Sequence, residues 1–227
     1  MTQKLTLLFD LDGTLVDTAP DLINAHNYVM KKFGFPTKSA NEIKALVGMG
    51  AKTMMGKILW NSPKEEIKKI NEKEIKEKMI KEFIKFYGEN ILIESKLTNG
   101  VRDFLIWCKK NKISMGVCTN KQEHLAIDLL KKIKINDFFE YVAGSNTFNY
   151  CKPDPRHLTS VIEIMGGNIK KTLMIGDSEI DAQSAENASL PFILLEGGYT
   201  EVKTSKMKYN YLIKDFTGLE NIIKNYL

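Results

Sequence analysis

The chain has 227 residues, 43% of them hydrophobic, with 33 basic side chains against 28 acidic ones and a net charge of +5. That length supports one large domain, or a core domain with a small insertion. No run approaches the roughly 18 consecutive apolar residues of a membrane span, and no apolar signal region precedes a small-residue cleavage site, so the sequence predicts a cytoplasmic protein with no membrane partner.

In chain order, residues 5–9 form a short, nearly unbroken apolar run, the pattern of a strand buried on both faces of a parallel sheet. It ends on Asp10-Leu11-Asp12-Gly13-Thr14. From Thr18 the period becomes helical: Leu22, Ile23, His26, Val29, Met30 and Phe33 share one face until Gly34 and Pro36 punctuate it. A second helical stretch begins near Asn41, a third runs from Thr53 toward Trp60, and Ser62-Pro63 opens a long charged helix ending near Gly88.

Beyond this block, helix and strand alternate. Helices over 101–110, 123–132, 156–165 and 182–188 lead to strands over 113–118, 141–144, 172–175 and 192–195 respectively, and a last strand and helix are expected over 211–213 and 219–223. The rhythm is that of right-handed crossovers building a parallel sheet. It predicts an α/β protein with a Rossmann-like parallel-sheet core from residues 1–16 and 89–227. Residues 17–88 are expected to form an inserted all-helical cap domain hinged over the sheet's active edge.

Residues 17–88 hold 14 lysines and nine acidic residues, so the excess charge sits there. A basic segment can attract an anionic substrate. Between Lys64 and Lys85, however, Glu and Lys interleave with Ile67, Ile70, Ile75, Ile80, Phe83 and Ile84 near helical spacing, which describes a solvated helix face and no nucleic-acid partner. Cys108, Cys118 and Cys151 are odd in number and lack metal-ligand spacing, so reduced thiols are expected. Lys152 can lower the Cys151 thiol pKa, but no histidine base neighbours it as a cysteine nucleophile requires. His26, His124 and His157 lie on helical stretches and read as packing or surface residues.

The candidate chemistry sits in four strand-end loops. In the first, Asp10 can accept a phosphoryl group while Asp12 protonates the leaving oxygen and later activates water. Asp-x-Asp alone also occurs in calcium loops, glycosyltransferases and ordinary turns. In the second, the Thr119 hydroxyl and the Asn120 N–H can hold a phosphoryl oxygen, although the pair also makes good turn chemistry. In the third, Lys152-Pro153-Asp154-Pro155, Asp154 reads as a helix N-cap with Pro155 at the first helical position. That leaves the Lys152 ammonium to neutralise Asp10 and an incoming phosphate. In the fourth, Asp177 and Asp181 stand one helical turn apart and can face one cavity. With Asp10 they concentrate negative charge that Mg2+, a hard ion suited to carboxylates and phosphate, would offset.

Together these motifs resemble the haloacid dehalogenase superfamily, in its phosphoglycolate phosphatase-like branch, over essentially the whole chain. Asp10-Leu11-Asp12-Gly13-Thr14-Leu15 is similar to the first signature, Thr119-Asn120-Lys121 to the second, Lys152-Pro153 to the third, and Gly176-Asp177 through Asp181 to the fourth. The resemblance implies that Asp10 is the nucleophile and a Mg2+ ligand, and that Asp12 is the general acid/base, lending its backbone carbonyl to the metal. It further implies that Thr119 and Asn120 bind the phosphoryl group, Lys152 stabilises charge, Asp177 binds the metal and Asp181 supports it through water. Leu46-Val47-Gly48-Met49-Gly50 is similar to the cap's substrate-specificity loop. Asn99 stands where relatives often have proline, and Ile180 where the residue is often polar.

The expected activity is Mg2+-dependent phosphomonoester hydrolysis through an aspartyl-phosphate, on a small phosphorylated metabolite such as 2-phosphoglycolate, by a monomer or homodimer. Phosphosugar mutase, pyrophosphatase or nucleotidase chemistry stands as an alternative on the same carboxylates. A dehalogenase needs neither the metal nor the acid at Asp12. A non-catalytic phosphate-binding module would be expected to lack Asp10, Asp12 or Lys152, and all are present.

Overall fold

The computed structural model describes residues 4–44, 46–50, 53–54 and 72–227. From the amino terminus, β1 (Thr6–Phe9) and β2 (Val16–Asp17) precede helices α1 (Ala19–Lys32), α2 (Ala40–Lys44) and α3 (Glu72–Glu89). β3 (Lys96–Leu97) then leads through α4 (Val101–Lys110), β4 (Ser114–Cys118), α5 (Glu123–Lys132) and β5 (Tyr141–Ala143). The remaining elements are α6 (Arg156–Ile164), β6 (Thr172–Gly176), α7 (Glu179–Asn187), β7 (Phe192–Leu195), β8 (Tyr211–Ile213) and α8 (Leu219–Ile223).

Six parallel strands form one sheet in the order β5-β4-β1-β6-β7-β8. The chain builds outward from β1 through β4 to β5, then crosses to β6 on the other side. This reversal makes a switch point at the carboxyl end of β1, where open α/β sheets bind ligands. Register sharpens the point. Phe9 pairs with both Val117 and Ile175, so Asp10, Thr119 and Asp177 leave three adjacent strands at the same rim.

Alternation along β1 divides the core between the two faces of the sheet. Leu7 and Phe9 join a cluster with Val117, Ile175, Phe104, Leu129 and Phe216. Leu8 faces the other way, with Met174, Leu158, Val161 and Ala185. Phe9 packs edge-on to Phe104 and Phe139 and stacks on Phe216, with ring centroids 6.4, 5.9 and 6.3 Å away. A side chain of this size contributes about 2–3 kcal/mol by leaving water, which holds the sheet's central strand in place.

α1 to α3 fall between β2 and β3, which pair antiparallel with Asp17 opposite Lys96. Tyr28 of α1 stacks on Phe86 of α3 at 3.8 Å. Buried Asp21 in the first turn of α1 accepts hydrogen bonds from the N–H groups of Ile93, Glu94 and Ser95 and from the Ser95 hydroxyl, pinning the returning chain.

Most expected elements are present. α2 starts at Ala40, and Gly48 sits in a tight 3-10 turn, Val47–Met49, that Gly50 closes. The third expected helix, apart from Thr53 and Met54, and the start of the charged helix lie outside the described residues, whereas its later part is α3. α7 begins at Glu179 and not at 182, because Asp181 folds back to accept from the N–H and hydroxyl of Ser178. At α6, Pro155 occupies the N-cap and Asp154 the position before it. The Asp154 carboxylate still accepts from the Arg156 N–H and pairs with its guanidinium.

His26 and His157 are buried and His124 is exposed. Burial pushes the Cys108 and Cys118 thiols up to about 12. At Cys151 burial outweighs the lowering pull of Lys152, so the thiol's pKa is raised. No described helix is long and apolar enough to cross a membrane.

Candidate active site

Every candidate residue from the four motifs lies at the rim where β1, β4 and β6 end. Asp10 follows β1 and donates its N–H to Ile175 O at 2.9 Å, which locks it to β6. Lys152 arrives on the loop before α6. Its Nζ stands 2.7 Å from Asp10 Oδ1 and donates to Asp181 Oδ1 at 2.6 Å. All three side chains are buried.

Asp177 is buried and closely caged. Its Oδ1 accepts from the Thr14 hydroxyl at 2.7 Å and its Oδ2 from the Tyr199 N–H at 2.8 Å. A Cβ at Gly13 or at Gly198 would come within 2.4 Å of Asp177, and Gly13 has φ +83°. Both glycines are therefore dictated by close approach, and Gly13 by its backbone as well.

Thr119 donates its N–H to Ala143 O at 2.9 Å, leaving its hydroxyl at the rim, where it accepts from the Lys121 N–H. Asn120 donates its amide to Lys152 O at 3.1 Å, and its buried Oδ1 has no partner among the described residues. Asp12 is turned away from the three clustered carboxylates. It accepts from the Thr18 hydroxyl at 2.7 Å and from Lys121 Nζ at 2.7 and 2.9 Å.

The electrostatics follow from an excess of acid. Asp10, Asp12, Asp177 and Asp181 are all buried, and among the described residues the buried cations are Lys121 and Lys152, leaving two negative charges uncompensated. Burial pushes Asp10 up to about 7, against the pull of Lys152 and with a further push from Asp181. Burial, then Asp181 and Asp10, holds Asp177 well above the usual carboxylate range. Burial alone would lower Lys152, but Asp10 and Asp181 outweigh it and hold the ammonium above its ordinary value. The lysine thus stays charged while the carboxylates compete for it.

Asp10, Asp177 and Asp181 each offer one ligand atom, all within 4.8 Å of one another. An oxygen-only set carrying surplus negative charge fits a hard divalent cation.

The contacts that sequence reasoning missed are those linking distant positions. Lys121 is quoted within the second motif, yet nothing local announces that it pairs with Asp12, 109 residues away. Thr14 and Tyr199 hold Asp177, and the Tyr199 hydroxyl also donates to Asp17, where the chain enters the helical insertion. The only signal for Thr14 is its place beside Gly13.

A profile of the family described as haloacid dehalogenase-like hydrolase matches residues 7–195. The chain belongs to that family. Among haloacid dehalogenase-like relatives, a phosphoglycolate phosphatase of Agrobacterium fabrum is 34% identical over 216 residues, covering 93% of this chain and 89% of its own length. One from Caulobacter vibrioides is also 34% identical, covering 93% and 87% respectively. Among solved structures, a predicted phosphoglycolate phosphatase of Haemophilus somnus superposes with a TM-score of 0.91 at 28% identity, covering 98% of this chain and 99% of that one.

Proposed function

We propose that this chain is a Mg2+-dependent phosphomonoesterase that hydrolyses a small phosphorylated metabolite, 2-phosphoglycolate foremost, through an aspartyl-phosphate on Asp10. The observation that carries this reading is the placement of Asp10 at the switch point, 2.7 Å from Lys152 and clustered with Asp177 and Asp181. The names of the relatives, phosphoglycolate phosphatase in each case, support the substrate. The reading carries with it a cytoplasmic location and a cap formed by residues 17–88.

In the first step an Asp10 carboxylate oxygen attacks phosphorus and the substrate's ester oxygen departs, taking a proton from Asp12. In the second, Asp12 takes a proton from water, whose oxygen attacks the phosphorus of the aspartyl-phosphate and frees inorganic phosphate and Asp10. The Thr119 hydroxyl and Asn120 hold the transferring phosphoryl oxygens, and Lys152 compensates the charge that spreads over them. Asp10, Asp177 and the Asp12 carbonyl would hold Mg2+, with Asp181 supporting it through water; the ion supplies positive charge between the anionic nucleophile and the anionic phosphate. Helices α1 to α3 cover the site and exclude bulk water during transfer.

The test is phosphate release from 2-phosphoglycolate with and without Mg2+, by the native protein and by Asp10→Asn. Mg2+-dependent release that vanishes in the variant is expected; release that survives it overturns the reading. Conversion of a sugar phosphate to its isomer in place of phosphate release would transfer the same carboxylates to the mutase alternative.

A further inference from the structure

The mechanism above leaves Lys121 without a task. Its side chain is buried, with Nζ against both Asp12 oxygens and 4.6 Å from the centre of the Tyr87 ring on α3. Asp12, Tyr87 and Lys121 line a cavity of about 30 Å³, walled elsewhere largely by apolar side chains such as Leu22, Phe83 and Leu125. Tyr87 is 1% exposed, and its hydroxyl has no partner among the described residues. Burial, then Asp12 and Asp21, holds that hydroxyl well above its ordinary pKa, so it remains a donor.

This cavity adjoins the acid that serves the departing oxygen, so a small group carried by that oxygen can enter it. Its volume admits roughly two water-sized groups, a match for a carboxylate and too small for a sugar ring. Its chemistry is selective as well. An ammonium has three N–H donors, and Asp12 engages two at most. Apolar walls make an unpaired carboxylate costly there, and an anionic leaving group without Lys121 would face Asp12 alone. A neutral alcohol offers those donors a hydroxyl oxygen at most, with no charge to pair with the ammonium.

From this juxtaposition we infer that Lys121, assisted by Tyr87, binds a carboxylate on the leaving group, so that the enzyme selects phosphate esters of small α-hydroxy acids over esters of neutral alcohols. This rests on the phosphatase reading and assigns its specificity to the end of the second motif and to one aromatic residue of the helical insertion.

The experiment compares kcat/KM for 2-phosphoglycolate and for 2-hydroxyethyl phosphate, whose leaving group has similar size and no charge. The native enzyme is expected to prefer the acid by about 10²-fold or more, as a site built around a polar group rejects an analogue lacking it. Lys121→Met should bring the ratio to within a few-fold of one, and Tyr87→Phe should reduce it by about tenfold. If Lys121 serves only to orient Asp12, both substrates lose the same factor and the ratio is unchanged, which overturns the inference. Tyr87→Phe, the milder change, carries the test if Lys121→Met does not fold. A native enzyme that cleaves p-nitrophenyl phosphate with Mg2+ but does not prefer the acid overturns the inference and leaves the phosphatase reading intact; one that cleaves no phosphate ester overturns both.

Discussion

Lys152 joins two carboxylates of the site with one buried ammonium, 2.7 Å from Asp10 and 2.6 Å from Asp181. It therefore has two separable effects. As a charge stabiliser, its removal in Lys152→Met should lower kcat on the order of 10²-fold or more. As the cation within a buried acidic cluster, its loss should destabilise the metal-free protein by about 3–5 kcal/mol. Steady-state kinetics and urea unfolding in chelator measure the two, and an unchanged kcat would remove Lys152 from the reaction.

Asp12 is held by Thr18 and Lys121, apart from the three clustered carboxylates. Asp12→Asn keeps the backbone carbonyl and removes the proton carrier, so turnover should fall by about 10²- to 10⁴-fold. Mg2+ affinity should change far less. Titration of Mg2+ by calorimetry beside rate measurements checks this; lost affinity with an intact rate contradicts the assignment.

His157 gives the fold a pH dependence of known sign. Burial, then the Lys152 charge, lowers its pKa from 6.5 to about 4. Between those values the unfolded chain binds a proton that the native state does not, so this contribution to stability grows as pH rises and is lost as pH falls through the window. The full difference is about 3 kcal/mol. Asp10 and Asp177, whose pKa values are raised, act in the opposite direction, so the informative quantity is the difference between native protein and His157→Leu. The variant's melting temperature should fall less steeply on acidification from pH 6.5 to 4; parallel curves would contradict the account.

Much of this was legible in the sequence because its cause is local. The apolar run of β1, the amphipathic period of α4 and α5, and the short apolar stretches of β7 and β8 each encode their own element, and their alternation encodes the sheet. Asp10, Thr119 and Asp177 were legible because each directly follows a strand, whereas Lys152 sits on the loop before α6 and Asp181 inside α7. What was not legible depends on tertiary neighbours. Asp21 reads as an ordinary acid in a first helical turn, yet it is a buried acceptor for residues 93–95. The early start of α7 depends on Asp181 turning back to Ser178 while also meeting Lys152, a dual use no spacing reveals.

Asp21 invites its own test. Asp21→Ala leaves the N–H groups of Ile93, Glu94 and Ser95 without their acceptor, at a cost of about 1–3 kcal/mol in stability. Amide exchange should accelerate at residues 93–95 more than in β1. Uniform acceleration across the sheet would show instead that the contact does not act locally.

The central claim is that Asp10 carries the phosphoryl group between substrate and water. Rapid acid quenching during Mg2+-dependent turnover of phosphorus-labelled 2-phosphoglycolate, followed by peptide mapping, tests it most directly. The account predicts label on the peptide containing Asp10, absent in Asp10→Asn. Phosphate release with no labelled protein at any quench time, or label on a different residue, would contradict it.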